Sequence, residues 1–163
     1  MSEPLRNTLA PLFSRGKDDW RTPSALFQGW DDVFHFTIDL AADEKNHLCP
    51  KWFGPGATQV DALAATWGDH VGWCNPPYSH VKEFVAKAVA EQVHATTVML
   101  IPARTDTRWF HEYLYNREFG TWRRSITCHF LKGRVKFLNE RGEMPSASAP
   151  FPSMMVVFSG SYK

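Results

Sequence analysis

The sequence has no cysteine pair, no long apolar run and little surplus charge, and each absence removes a class of function. Its three cysteines form no Cys-x-x-Cys. Their odd number argues for reduced thiols in a cytoplasmic setting rather than a disulfide framework. His47 lies near Cys49 and Cys128 beside His129, but neither pair has zinc-site spacing, so no metal is expected. No apolar stretch nears the roughly 20 residues that span a bilayer. The opening MSEPLRNTLAPLF lacks the basic start and apolar centre of a secretory leader, so no membrane partner is expected. GPGAT (Gly54–Thr58) lacks the Gly-Lys-Ser/Thr ending of a phosphate loop and reads as a turn.

What remains is an ordinary soluble composition: 163 residues, 44% hydrophobic and 21% charged. That is enough chain for one domain with a substantial core. Net charge is +1, yet it is unevenly spread. Residues 1–73 carry 6 Lys/Arg against 10 Asp/Glu, and residues 117–163 carry 8 against 3. Arg117, Arg123, Arg124, Lys132, Arg134, Lys136 and Arg141 thus make a local basic region, either a solvated face or a surface for phosphates.

Residues 1–17 are polar and aperiodic, the pattern of a flexible N-terminal tail, and residues 18–163 are expected to form one domain. Thr22 is placed to cap a helix beginning at Pro23. Val33–Leu40 reads as a buried strand, Asp61–Trp67 as a short helical or turn segment, and His70–Cys74 as a second strand. Ser79 is placed to cap a helix carrying Val81, Phe84, Val85, Ala88, Val89 and Gln92 on one face. Thr96–Pro102 is a continuous apolar strand, as in a parallel sheet covered on both faces. A helix is expected through Thr107–Tyr115. Three strand-like pieces follow: SITCHFL, RVKFL and SMMVVF. Helices alternate with strands in the first two thirds and strands dominate the last. The fold is therefore α/β, a mixed sheet ending in antiparallel strands. Asn139–Ser153 reads as a mobile surface loop.

In such a sheet ligands bind beyond the C-terminal ends of the strands. Three strand ends carry polar residues there: Asp39 with Ala41 and Ala42, Asn75 to Tyr78, and Arg104 to Asp106. The run Asn75-Pro76-Pro77-Tyr78 is the most telling. Two prolines stiffen the backbone, so the Asn75 carboxamide and the Pro76 carbonyl hold fixed directions. Both offer acceptors that can receive the two hydrogens of a planar amine. Tyr78 adds a ring on which an aromatic base can stack, worth ~1–3 kcal/mol in nucleic-acid sites. The bland alternative is a rigid strand-to-helix turn.

Asn75-Pro76-Pro77-Tyr78 resembles the motif of S-adenosylmethionine-dependent amino-methyltransferases. The wider pattern resembles the small phage and prophage DNA N-6-adenine-methyltransferases (Dam-like). It comprises DDWRTP (Asp18–Pro23), FTIDLAAD (Phe36–Asp43), NHLCPKWF (Asn46–Phe53), DALAATW (Asp61–Trp67), VGWCNPPYS (Val71–Ser79), LIPARTDTRWFH (Leu100–His111) and FLKGRVKF (Phe130–Phe137). The resemblance implies a Rossmann-like class I methyltransferase without a separate target-recognition domain. It implies catalytic roles for Asn75, Pro76, Pro77 and Tyr78, and cofactor contacts from Thr22, Pro23, Asp39, Ala41, Ala42, Asp43 and Asp61. One departure stands out: larger methyltransferases carry a Gly-rich turn where this chain has Asp39-Leu40-Ala41-Ala42-Asp43. For Asp39 the structural alternative is a strand-end turn residue, and for Asp61 a helix N-cap.

The implied partner is double-stranded DNA, in the cytoplasm of a host cell if the protein is phage-encoded. Arg104, Thr105, Arg108, Lys132, Arg134, Lys136 and Arg141 are the expected DNA contacts. The implied setting is protection of phage DNA from restriction, or epigenetic marking. RNA adenine, a protein glutamine amide, or a catalytically inactive binding relative remain open alternatives.

Overall fold

The computed structural model describes residues 20–145 and 147–160; the tail expected over residues 1–17 lies outside the described residues. Helix α1 (Ser24–Phe34) precedes strand β1 (Ile38–Asp39), and strand β2 (Val71–Cys74) leads through a single 3-10 turn into helix α2 (Val81–Glu91). Strand β3 (Thr96–Pro102) follows, then a helical turn, the short hairpin β4 (Tyr115–Asn116) and β5 (Thr121–Trp122), and strands β6 (Ile126–Phe130) and β7 (Ser153–Phe158). The main sheet has the order β1-β2-β3-β7-β6. Its first three strands are parallel; β7 runs antiparallel to β3 and β6 antiparallel to β7.

The apolar run of β3 exists because both faces are covered. Met99 and Ile101 pack with Phe84, Val85 and Ala88 of α2. Val98 and Leu100 pack with Phe27 of α1 and with Phe137 on the opposite face. Strand β7 repeats the alternation, with Met154, Val156 and Phe158 on the α2 side and Met155 and Val157 on the α1 side. Among the described residues no helix is long and apolar enough to cross a membrane.

Local chemistry moves several expected boundaries. The strand anticipated over Val33–Leu40 shrinks to Ile38–Asp39, because α1 continues to Phe34. Asp31 ends that helix: its carbonyl accepts from His35 N–H and its carboxylate from Phe36 N–H, each at 2.8 Å, with His35 left-handed at φ 55°. Thr22 does not cap α1. Pro23 is extended (φ −61°, ψ 134°) and is itself the cap residue, its carbonyl accepting from Leu26 and Phe27. Nor is Ser79 the cap of α2. Residues Tyr78–His80 form the 3-10 turn, and His80 occupies the cap position without a side-chain bond. The helix expected through Thr107–Tyr115 widens into a π-helical turn at Phe110–Leu114 and stops where Tyr115 becomes extended.

The piece Arg134–Leu138 forms no ladder. Gly133 takes φ 75°, which turns the chain, and the segment is held at single points. Ala149 N–H bonds the Val135 carbonyl, and Leu138 exchanges backbone bonds with Arg21.

Gly72 of β2 lies directly against the side chain of Leu40, the residue after β1. A Cβ there would lie 2.5 Å from Leu40 Cδ1 and 3.0 Å from its Cγ, and Leu40 is 1% exposed. We expect Gly72→Ala to destabilise the fold by about 1–3 kcal/mol, read from urea unfolding midpoints. An unchanged midpoint would show that Leu40 has room to turn away.

Candidate active site

A cleft of about 710 Å³ opens beyond the C-terminal ends of β1 and β2. Asp39 closes β1 and Asn75 follows β2 directly, so parallel pairing of Asp39 with Trp73 brings the two polar side chains to one sheet edge. Of the residues expected to hold a cofactor, Thr22, Asp39, Ala41, Ala42 and Asp43 line the cleft, and Pro23 and Asp61 do not. Of the expected catalytic run, Asn75 and Pro77 line it, while Pro76 is buried beneath and Tyr78 sits behind.

Asp39 is 3% exposed, and both carboxylate oxygens are occupied: Oδ2 accepts from Leu48 N–H at 3.0 Å and Oδ1 from Ala41 N–H at 3.3 Å. Burial outweighs these bonds and raises its pKa to about 6. Asp39 thereby pins the residue 41–48 loop over the strand end. Asp43 organises the same loop from within. Its Oδ1 accepts from Lys45 N–H (2.7 Å) and Asn46 N–H (3.1 Å), while its own N–H donates to Asn46 Oδ1 (2.7 Å). Gly56 borders the cleft at φ +85°, and a Cβ there would meet Glu44 Cβ at 2.8 Å, so the GPGAT turn needs its glycine. Asp61 stands beside the cleft, its carboxylate capping a turn through Leu63 N–H (2.9 Å) and Ala64 N–H (3.3 Å).

Asn75 is held by the segment around Trp20 and Thr22, which lines the same cleft. Its Nδ2 donates to the Trp20 carbonyl and, at 3.1 Å, to Thr22 Oγ1. Its Oδ1 is buried and has no hydrogen-bond partner. A buried acceptor without a donor costs about 1–3 kcal/mol, which makes Oδ1 a candidate acceptor for a ligand hydrogen at the end of β2. The Tyr78 hydroxyl is likewise buried and unpartnered, and burial pushes its pKa well above the ordinary tyrosine value. Tyr78 therefore stays neutral and offers a ring rather than a proton. That ring meets Phe151 (5.3 Å) and Phe137 (6.1 Å) edge to face, and Trp20 meets the same two rings at 5.3 and 5.6 Å.

The three thiols offer no nucleophile. Burial raises Cys49 and Cys128 to about 12, and Cys74 well above the ordinary thiol value.

The expected DNA contacts fall into two groups. Arg104, Thr105 and Arg108 follow β3 and are exposed; Arg108 borders a second depression with Lys82, His111 and Arg117. Lys132, Arg134 and Lys136 are exposed on the segment before the 139–153 loop, and Arg141 reaches the rim of the main cleft. Among the described residues none of these cations is ion-paired with a carboxylate. Sequence reasoning missed the aromatic wall of Trp20, Phe137 and Phe151, and the cleft-lining Arg21, Lys45, His47 and Glu140. The only signal for the wall was the aromatic density of three separate segments, which join only through tertiary contact.

Comparison with known proteins places these features. Residues 11–163 match the family model described as DNA N-6-adenine-methyltransferase (Dam). A DNA N-6-adenine-methyltransferase of Escherichia phage T1 is 34% identical over 110 residues, covering 65% of this chain but 44% of that protein. The protein of the same name from Haemophilus phage HP1 is 30% identical over 147 residues, covering 87% of this chain and 79% of its own length. The putative methyltransferase YfdM of Escherichia coli is 32% identical over 81 residues, 45% of this chain and 86% of that protein. A family match that takes in both strand ends, the Asn-Pro-Pro-Tyr run and the basic C-terminal third leaves one conclusion: the chain belongs to the DNA N-6-adenine-methyltransferase (Dam) family.

Proposed function

We propose that the protein transfers a methyl group from S-adenosylmethionine to the exocyclic amino group of adenine in double-stranded DNA, on a minimal Rossmann-like class I methyltransferase fold. The observation that carries this reading is the buried, unpartnered Oδ1 of Asn75 at the end of β2. An acceptor fixed in that position selects a ligand group that brings hydrogens, as an aromatic amine does, and repels a carbonyl. The Pro76 carbonyl is the second acceptor, and the Tyr78 ring supports the flat base. Two hydrogen bonds from the amine to these acceptors draw its lone pair out of ring conjugation and aim it. The amine sheds its proton readily after alkylation, so positioning rather than a strong base does most of the catalysis. Adenine reaches the pocket by leaving the duplex, at a cost of a few kcal/mol.

The cleft chemistry fits the methyl donor, which carries a sulfonium, an ammonium and one carboxylate. Asp39, Asp43, Glu44 and Glu140 face Arg21, Lys45 and Arg141 there, a mixed lining with an acidic excess suited to a ligand of net positive charge. When bound, S-adenosylmethionine supplies an electrophilic methyl on sulfur. Ala41, Ala42 and Asp43 line its place, with Asp39 fixing the loop they share. The setting that goes with phage relatives is the cytoplasm of a host cell.

Methyl transfer from labelled S-adenosylmethionine onto duplex DNA, with RNA and protein as parallel substrates, is the direct test. Label on DNA adenine is expected. Transfer only to RNA or protein would overturn the reading.

Asn75→Ala should reduce transfer by about a hundred- to a thousandfold, the scale of a lost electrostatic contact to the reacting group, while calorimetric cofactor affinity stays within about twofold. Tyr78→Ala should impair turnover strongly. Tyr78→Phe should keep both rate and stability, because the hydroxyl it removes has no partner. A Tyr78→Phe enzyme as slow as Tyr78→Ala would show that the hydroxyl matters.

Asp39 makes the site pH-dependent. Unfolded aspartate ionises near 3.9 and folded Asp39 near 6, so folding favours its protonated form. Its contribution to stability is greatest below about pH 4 and declines as pH rises through about 6. Cofactor binding that uses the ionised form should therefore be about tenfold weaker at pH 5 than at pH 7.5, measured by calorimetry. A flat profile, or one unchanged in Asp39→Asn, would count against this role.

The basic residues should act mainly on phosphates. Replacing Lys132, Arg134, Lys136 or Arg141 with Ala should weaken binding about equally on all sequences and lower the salt slope by roughly one unit each. Unchanged slopes in all four would place the DNA elsewhere on the surface.

A further inference from the structure

We propose that Thr22 is a positioning residue for methyl transfer: its hydroxyl, together with the Trp20 carbonyl, decides which end of the Asn75 carboxamide faces the cleft. This rests on the amine-methylation reading above and names the group that makes Asn75 competent for it.

A primary amide has nearly the same shape at its two ends and opposite hydrogen-bonding character. Turned one way, Asn75 offers an acceptor to the incoming amine; turned the other way, it offers hydrogens that repel it. The sequence alone does not choose between the two; the groups behind the amide do. A main-chain carbonyl has no hydrogen to give, so the atom facing Trp20 O must be Nδ2. The second amide hydrogen goes to Thr22 Oγ1 at 3.1 Å. Two bonds from one nitrogen fix the amide plane, and Oδ1 is left buried and unpartnered. The reversed amide would set Oδ1 against the Trp20 carbonyl, two acceptors facing each other.

Thr22 suits the task. It is 7% exposed, and Pro23 restricts its backbone to extended conformations, which limits where the hydroxyl can point. The bond to Asn75 also explains why Thr22 does not cap α1, although sequence places it there. The Trp20 contact is main chain and survives substitution, so Thr22 is the half of the device that can be removed.

Thr22→Val keeps the shape and removes the hydroxyl; Thr22→Ser keeps the hydroxyl and removes the methyl. With saturating S-adenosylmethionine and duplex DNA, the single-turnover rate should fall about five- to tenfold in Thr22→Val, the worth of one net neutral hydrogen bond. It should return to within about twofold of wild type in Thr22→Ser, and calorimetric affinity for S-adenosylmethionine should stay within about twofold in both. Should Thr22→Val fail to fold, Thr22→Ala is the second deletion. An independent readout is the Asn75 side-chain amide pair in proton–nitrogen spectra, assigned by its disappearance in Asn75→Ala. Both hydrogens should exchange slowly with water in the wild type, and one should exchange faster in the deletion variant. If the wild-type protein methylates no DNA, the proposed reaction fails while the amide signals still decide the role of Thr22. Equal impairment in Val and Ser, loss of cofactor affinity in step with rate, or an amide pattern indifferent to the hydroxyl would overturn the proposal.

Discussion

The two hydrogens of the Asn75 amide tie the site together. They bind the strand-to-helix turn after β2 to the segment around Trp20 and Thr22. That segment is held in turn to the far side of the cleft, where Arg21 and Leu138 exchange backbone bonds at 3.3 and 2.8 Å. The bridge places Phe137 beside Trp20, and Phe137, Phe151 and Trp20 close around Tyr78 and its neighbours. One carboxamide thus links three stretches separated by more than fifty residues of chain. Leu138 is joined to Asn75 through this bridge.

Asp39 anchors the 41–48 loop as Asn75 anchors the turn after β2. A carboxylate removed from water needs compensation, and here backbone N–H groups of Leu48 and Ala41 provide it only in part. The result is a group that titrates near 6. This arrangement also bears on the missing Gly-rich turn. In place of glycines, the loop is shaped by two aspartates that accept from four backbone N–H groups, those of Ala41, Leu48, Lys45 and Asn46. Ala41 and Ala42, both small, line the cleft beside it. Side-chain acceptors replace conformational freedom as the means of turning the chain.

The sheet was legible where burial is two-sided. Thr96–Pro102 and Ser153–Phe158 read directly from continuous apolar runs, because a strand covered on both faces leaves no polar alternation to misread. Boundaries set by individual hydrogen bonds were not. Nothing in the period of Val33–Leu40 reveals that Asp31 will take two N–H groups and end α1 at Phe34. Thr22 shows the same limit in functional form. Its sequence setting fits a helix cap, and only tertiary placement next to Asn75 redirects the hydroxyl. The strand ends were visible, since Asp39 and Asn75 follow apolar runs. The aromatic wall was not, because Trp20, Phe137 and Phe151 share no local pattern.

Burial takes several ionisable side chains out of proton chemistry. Tyr78 and the three cysteines are all pushed toward their neutral forms. Asp39, among the described residues the carboxyl moved toward neutrality, spends both oxygens on its loop. In the proposed reaction a neutral carboxamide and an aromatic ring face the target. Neither extracts a proton to create a nucleophile, and an aromatic amine does not require it. Its weakness as a nucleophile is delocalisation of the lone pair, which directed hydrogen bonds correct and a base would not. In that reaction precision in the direction of Asn75 Oδ1 carries the catalytic burden, and the two bonds from its amide nitrogen to Trp20 and Thr22 are what would supply it.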